Sequence, residues 1–188
     1  KPSGILLSGL SQLGVAVPGF LAAIMLVVVF AVGLGWFPAN GWTPPGVDFG
    51  DFLHRVTLPV LALASVQGAV LTRYVRSAVL EVMNEDYLRT ARAKGLGKLE
   101  ALVRHGLRNA AVPVLTVAGV QLAALIIGAV VIERVFVIPG LGSMLLDAVG
   151  NRDLLTVQSV VMVLVALTLI INLAVDVLYT IIDPRLRK

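Results

Sequence analysis

Four stretches of this 188-residue chain run without a charge for long enough to cross a lipid bilayer, and this limits the possible folds severely. A spanning helix needs about 20 apolar residues. Nothing between Pro2 and Val47 is charged, and its apolar centre runs from about Leu13 to Leu34. Val56–Thr72, Asn109–Ile132 and Leu154–Val175 are the other three. With flanking residues added, the predicted spans are about 13–35, 56–78, 110–133 and 154–180. No alternating strand pattern of the barrel type is present, so the fold class is all-α, a polytopic transmembrane helical bundle. Composition removes the soluble alternative. Hydrophobic residues make up 58% and charged residues 14%, against about 45–50% and about 25% in ordinary globular domains.

Lys and Arg set the orientation. With both ends on one side, that side holds Lys1, the eight from Arg73 to Arg108, Arg185, Arg187 and Lys188, and the other holds Arg55, Arg134 and Arg152. Twelve against three makes the first side cytoplasmic, with both termini inside. The net charge of +4 is therefore assigned to membrane orientation, not to nucleic acid.

Several chemistries are excluded. Without cysteine there are no disulfides and no thiolate sites, and His54 and His105 are too far apart for an HExxH metal site. We expect no catalytic residue, no metal site and no cofactor in this chain. It starts at Lys1, with no signal peptide ahead of the first apolar run, and reads as a piece of a longer protein.

The outer connection Trp36–His54 combines an aromatic belt (Trp36, Phe37, Trp42, Phe49, Phe52) with three prolines, and reads as a loop. A second outer turn, Val137–Ser143, precedes a short amphipathic piece, Met144–Val149. Pro18, Pro59 and Pro113 are expected near the starts of their helices, where a missing N–H costs little.

The cytoplasmic connection 81–108 is crowded with charge in a chain poor in it. Glu85 and Arg89, four apart, support a helix up to Lys94; Gly95 and Gly97 break it, and a second short helix follows. Leu96, Leu99, Val103 and Leu107 share one face. Two short helices about a glycine make a lever sized for a cleft on another protein. Periodicity alone favours a plainer reading, a helix pair lying on lipid headgroups.

The wording of the chain shifts that balance. Asp86-Tyr-Leu-Arg-Thr-Ala-Arg-Ala-Lys-Gly-Leu96, with His105, Asn109 and Pro113 behind it, resembles the EAA loop of bacterial ABC-importer permeases in the dipeptide/oligopeptide/nickel branch. Glu133-Arg-Val-Phe-Val-Ile-Pro-Gly-Leu-Gly142, with Arg152, Asp153 and Gln158, is a second match. Asn172-Leu-Ala-Val-Asp176, Tyr179 and Asp183-Pro-Arg185 are the third, closer to the first of the two permease types that pair in these systems. Arg89-Thr90-Ala91 stands where the generic loop has Glu-Ala-Ala, and the family usually has six helices, two more than the four spans read here.

The resemblance implies one transmembrane permease domain over 1–188, lacking its N-terminal part, in the bacterial inner membrane. It implies a second permease, two ABC ATPases that carry ATP and magnesium, and an extracytoplasmic substrate-binding protein. Thr90, Ala91, Lys94, Gly95 and Leu96 would form the coupling contact to the ATPase within loop 81–108. Gly95-Leu-Gly-Lys98 is no P-loop, since Leu99 replaces the Ser/Thr and no strand precedes it.

Inside the spans, Asn172 and, one turn after it, Asp176 are candidates for a path or for interhelical bonding, and for Asp176 an ion pair with Arg73 or Arg76 is expected ahead of a substrate contact. Gln67, Gln121 and Gln158 either line a path or bond between helices, and Ala64/Gly68 and Ala124/Gly128 suit close packing. Glu133, Arg134, Arg152 and Asp153 form the outer mouth, a solvated rim or, by resemblance, the seat of the binding protein. The expected substrates are di- or oligopeptides, with nickel or glutathione as the runner-up that these loops do not separate. A non-transporting membrane anchor is the competing class. An intramembrane protease lacks its motifs, and Asp147 and Asp176 fall on opposite sides of the membrane.

Overall fold

The computed structural model describes residues 18–182, the side chains of Tyr179 and Ile182 excepted. These residues form helices without a strand: α1 (Gly19–Gly33), α2 (Phe49–Met83), α3 (Asp86–Ala93), α4 (Lys98–Phe136), α5 (Leu141–Gly150) and α6 (Leu154–Ile182). Three of them, α2, α4 and α6, are long and apolar enough to cross a membrane. Residues 13–17 of the first predicted span lie outside the described residues, and its remainder is the 15-residue α1.

Pro18 opens α1, as expected. From Val27 the helix is wound as π-helix, and its last carbonyls hold the exit: Trp36 N–H donates to Phe30 O at 2.9 Å. The outer connection is shorter than the sequence suggested. Asp48 accepts from the Asp51 N–H at 3.0 Å, an N-cap that starts α2 at Phe49, so Phe49–His54 is helix and not loop. Pro59 and Pro113 likewise do not start helices: both lie inside, Pro59 buried in α2 and Pro113 well within α4. The helices extend N-terminally past the uncharged windows because charged residues at a membrane surface do not interrupt winding.

At 1.5 Å per residue, α2 is about 52 Å long and α4 about 58 Å. Both exceed a hydrocarbon layer of about 30 Å, so each is too long to lie wholly within it. Asn84 closes α2 by returning its amide to Leu80 O at 3.1 Å. The lever differs from its sequence reading at two points. Arg89 pairs with Asp86 at 3.5 Å, not with Glu85, which lies outside α3. The second short helix does not end: a π-helical segment, Leu102–Gly106, fuses it to the span, so Lys98–Phe136 is one helix.

Helix α4 is the centre of the fold, packed against α2, α6, α5 and α1. Ala23, Leu58, Ala62, Ile132 and Phe136 form an outer core; Ala78, Val82, Leu88, Ala91, Ala101 and Ala110 form an inner one. Small residues dominate because in lipid the helices gain from close van der Waals approach, not from excluding water. Helix α6 touches α4 and α5 on one side and leaves most of its apolar surface open.

Candidate functional site

The inner lever is built from the end of α2, α3, the turn at Gly95 and the start of α4. Leu88 and Ala91 point inward against Val82, and Leu96 packs on the same cluster. Gly106 is needed there, since a Cβ would stand 3.1 Å from Val82 Cγ1 and 3.3 Å from Leu88 Cδ1. This explains why Leu99, Val103 and Leu107 face outward: α4 turns Ala101, Gly106 and Ala110 inward to let Leu88 approach. Asn109 donates to the Tyr87 hydroxyl at 3.0 Å, strapping α3 to α4 across 22 positions. Sequence reasoning missed this strap, although both residues stand in or beside the first motif.

Of the predicted coupling residues, Thr90, Lys94 and Gly95 are exposed, whereas Ala91 is buried and Leu96 half-buried. Thr90 returns its hydroxyl to Asp86 O at 2.9 Å. Gly95 has φ +98°, a left-handed turn that a side chain would strain, and open space lies around it.

Between the spans, Gln67 and Gln121 meet. The Gln67 amide donates to the Gln121 carbonyl at 3.0 Å, and the Gln121 amide donates to Gln67 Oε1 at 3.2 Å. They sit beside an apolar cavity of about 240 Å³ lined in part by Phe20, Ala62, Leu63, Ala124 and Gly128. Gly128 accepts Leu63 Cδ2 at 3.3 Å from its Cβ position, so Ala124/Gly128 serves packing; Ala64 and Gly68 face outward. Gln158 and Asn172 are also exposed.

Asp176 corrects an expectation. Among the described residues it pairs with neither Arg73 nor Arg76, and Arg73 lies 5.4 Å over the Tyr74 ring instead. The Asp176 side chain is exposed on α6.

The outer residues separate into distinct tasks. The Glu133 carboxylate accepts from Ser143 N–H at 2.9 Å and so caps α5, a stabilising place for an anion. A Cβ on Gly140 would fall on that carboxylate, and one on Gly142 would fall on Val130. Val137 takes φ 54° to reverse the chain, an uncommon conformation for a β-branched residue. Arg134 pairs with Asp147 of α5 at 2.9 Å. Asp153 caps α6: Thr156 gives it both its hydroxyl, at 2.6 Å, and its N–H, at 3.1 Å, which holds the carboxyl below its ordinary value. Arg152, φ 58°, is the turn residue before it. Among the described residues no bond links Glu133 or Arg134 to Arg152 or Asp153.

A further outer cluster was missed because Asp51 was read as loop and Arg55 only as an outer charge. Asp51 accepts from Thr43 and from Arg55 at 2.8 Å, and Arg55 also donates to Asn40 O at 3.0 Å. His54 Nε2 donates to Trp36 O at 2.6 Å, and its ring packs on Phe37. The i,i+4 spacing of Asp51 and Arg55 was the available signal.

Comparison with known proteins gives a consistent result. The family model described as "Binding-protein-dependent transport system inner membrane component" matches residues 1–188. The chain is 42% identical over 178 residues to the oligopeptide transport system permease protein AppB of Bacillus subtilis, covering 94% of this chain and 56% of that one. A Brucella abortus protein named for a peptide transport system permease is 48% identical over 178 residues, covering 95% and 57%. One from Sinorhizobium fredii, named for a peptide ABC transporter permease, is 40% identical over 181 residues, covering 96% and 58%. The chain thus spans a little over half the length of these relatives.

Proposed function

We propose, from the premise that this chain belongs to the family of binding-protein-dependent transport system inner membrane components, that it is part of a permease subunit of an ATP-driven peptide importer. It lies in the bacterial inner membrane as four spans with both termini inside. A second permease completes the path, two ABC ATPases hydrolyse ATP with magnesium, and a binding protein delivers the peptide at the outer face. The peptide assignment follows the names of the relatives.

One observation carries the mechanism. The lever is fixed to the body by Leu88 and the Tyr87–Asn109 strap, yet presents Thr90, Lys94 and Gly95 outward at the inner end. In this reading those three meet the ATPase, while Ala91 and Leu96 hold the lever to the spans. Because Lys98–Phe136 is continuous, a push on the lever acts on α4 as a rigid rod and shifts its packing on α2 and α6. Such rigid-body movement between two packed states is how permeases alternate access.

These 188 residues hold no cysteine, so Lys98→Cys, made in full-length protein with any cysteine elsewhere replaced, gives a single crosslinking site. In native membranes it is expected to capture an ABC ATPase, with a yield that changes when ATP binds. Capture of lipid alone would leave a membrane anchor as the better description.

A further inference from the structure

One peptide unit of the outer loop, Asn40–Gly41, stands between two helices and is bonded to both. Its carbonyl accepts from Arg55 Nη1 of α2 at 3.0 Å, and its N–H donates to Phe136 O, the last carbonyl of α4, at 2.9 Å. A helix leaves its last carbonyls without partners of its own. Here Val137 turns to φ 54° and Ile138 N–H returns to Glu133 O, so neither takes the Phe136 carbonyl. Gly41 is required on two counts: its φ is +100°, and a Cβ there would stand 2.8 Å from Arg55 Nη1.

Arg55 is itself aimed. Its Nε donates to Asp51 at 2.8 Å, and Thr43 donates to the same carboxylate oxygen. The guanidinium polarises the peptide it binds, which strengthens the bond made by that peptide's N–H. A cation close to the C-terminal end of a helix is also favourable in its own right.

The loop is fastened unequally. Trp36 O is held by His54, Asn40 O by Arg55 and Thr43 by Asp51, all on α2, and Trp36 N–H holds Phe30 O of α1. Among the described residues its one hydrogen bond to α4 is Gly41 N–H to Phe136 O. Packed helices shift by about 1–2 Å in such transitions, enough to carry a 2.9 Å contact out of hydrogen-bonding range. When α4 slides on α2, the loop stays with α2 and this bond parts. Asn40 and Val137 beside it are exposed, so water can take up the freed groups and the step is reversible. We infer that Asn40–Gly41 is a latch holding α4 to α2 at the outer face, that Arg55 positions it, and that displacement of α4 by the inner lever opens it. This rests on the reading of the chain as part of an ATP-driven permease.

The test uses full-length protein, any cysteine elsewhere replaced, in membranes holding its complete complex. Asn40→Cys and Val137→Cys flank the latch, and neither side chain takes part in it. A short bifunctional thiol reagent is expected to bridge them without nucleotide, and to do so in clearly lower yield with a non-hydrolysable ATP analogue. Bridged protein is expected to lose ATP-driven uptake and to regain it when the bridge is cleaved. Arg55→Ala should lower the nucleotide-free yield about fivefold, as loss of one hydrogen bond predicts, and should raise ATP hydrolysis without transported peptide. Arg55→Lys should recover part of both. A residue that served stability alone would change the amount of complex recovered and leave its response to nucleotide intact. Equal bridging with and without nucleotide, or full uptake through bridged protein, would overturn the inference. Lys98→Cys, made separately, keeps the two readings apart. If it captures an ATPase while bridging ignores nucleotide, only the latch fails. If it captures none and bridging ignores nucleotide, both fall. If it captures none while bridging still answers to nucleotide, the latch stands and the lever is not the ATPase contact.

Discussion

Val175 Cγ1 lies 2.7 Å from the point where a Cβ on Gly119 would stand. That contact locks α6 against α4 and sets the depth of every polar residue on α6. It is a backbone-to-side-chain fit, since Gly119 is buried and Val175 is short and stiff at χ1.

Gly119→Ala is expected to destabilise the bundle by about 1–3 kcal/mol, because the added methyl has no flexible neighbour to displace. Gly119→Ala with Val175→Ala should recover much of the loss. Thermal unfolding in detergent, run as a double-mutant cycle, checks this. Additive losses would mean that the two residues do not touch.

Gln67 and Gln121 form a reciprocal pair. Gln67→Leu leaves the Gln121 amide without its acceptor and is expected to cost about 1 kcal/mol, whereas the double Leu variant should cost less than the sum of the singles. Equal and additive losses would indicate that each glutamine faces an aqueous path and not the other.

Asp153 gives a pH dependence of definite sign. Thr156, through its hydroxyl and then its N–H, holds the carboxyl below its ordinary 3.8. A depressed native value means stability that is present above 3.8 and lost as pH falls through the lowered value. Exchange of the Thr156 amide, corrected for its intrinsic rate, should therefore accelerate as pH drops below that range. In Asp153→Asn the acceleration should disappear.

Gly95 has φ +98° with free space around it. The Cβ of Gly95→Val meets no clash, but the side chain strains the backbone by about 1–2 kcal/mol, which should shift the lever and leave the spans intact. Unchanged thermal stability of the spans with at least a tenfold loss of ATP-dependent uptake is the expected result. Full uptake would show that this turn does not carry the coupling.

The membrane class and the long helices were legible because they depend on local quantities. Runs such as Asn109–Ile132 and Leu154–Val175 admit no other solvent, and backbone groups in lipid must close within their own helix. The glycine turn at 95 and the inner lever were legible for the same reason, and the motif around Asp86–Leu96 named the family before any packing was known.

One missed feature is local: Phe49 starts α2 because Asp48 caps it, which an aromatic, proline-rich stretch conceals. The others depend on residues far apart in the chain. The partner of Asp176 was misread because a carboxylate and two arginines at similar depth satisfy any sequence rule, while the side of α6 that carries Asp176 is fixed by tertiary packing on α4 and α5, Val175 on Gly119 included. Glu133 looked like a rim charge until the chain reversal at Val137 brought Ser143 N–H back to it. The sequence by itself determined that the fold is all-helical and where its three long apolar helices run, since hydropathy is a sum over neighbours. Only the tertiary structure decided which faces those segments turn to each other and which remain open, since rotation about a helix axis is set by close contacts between segments that the chain order does not specify.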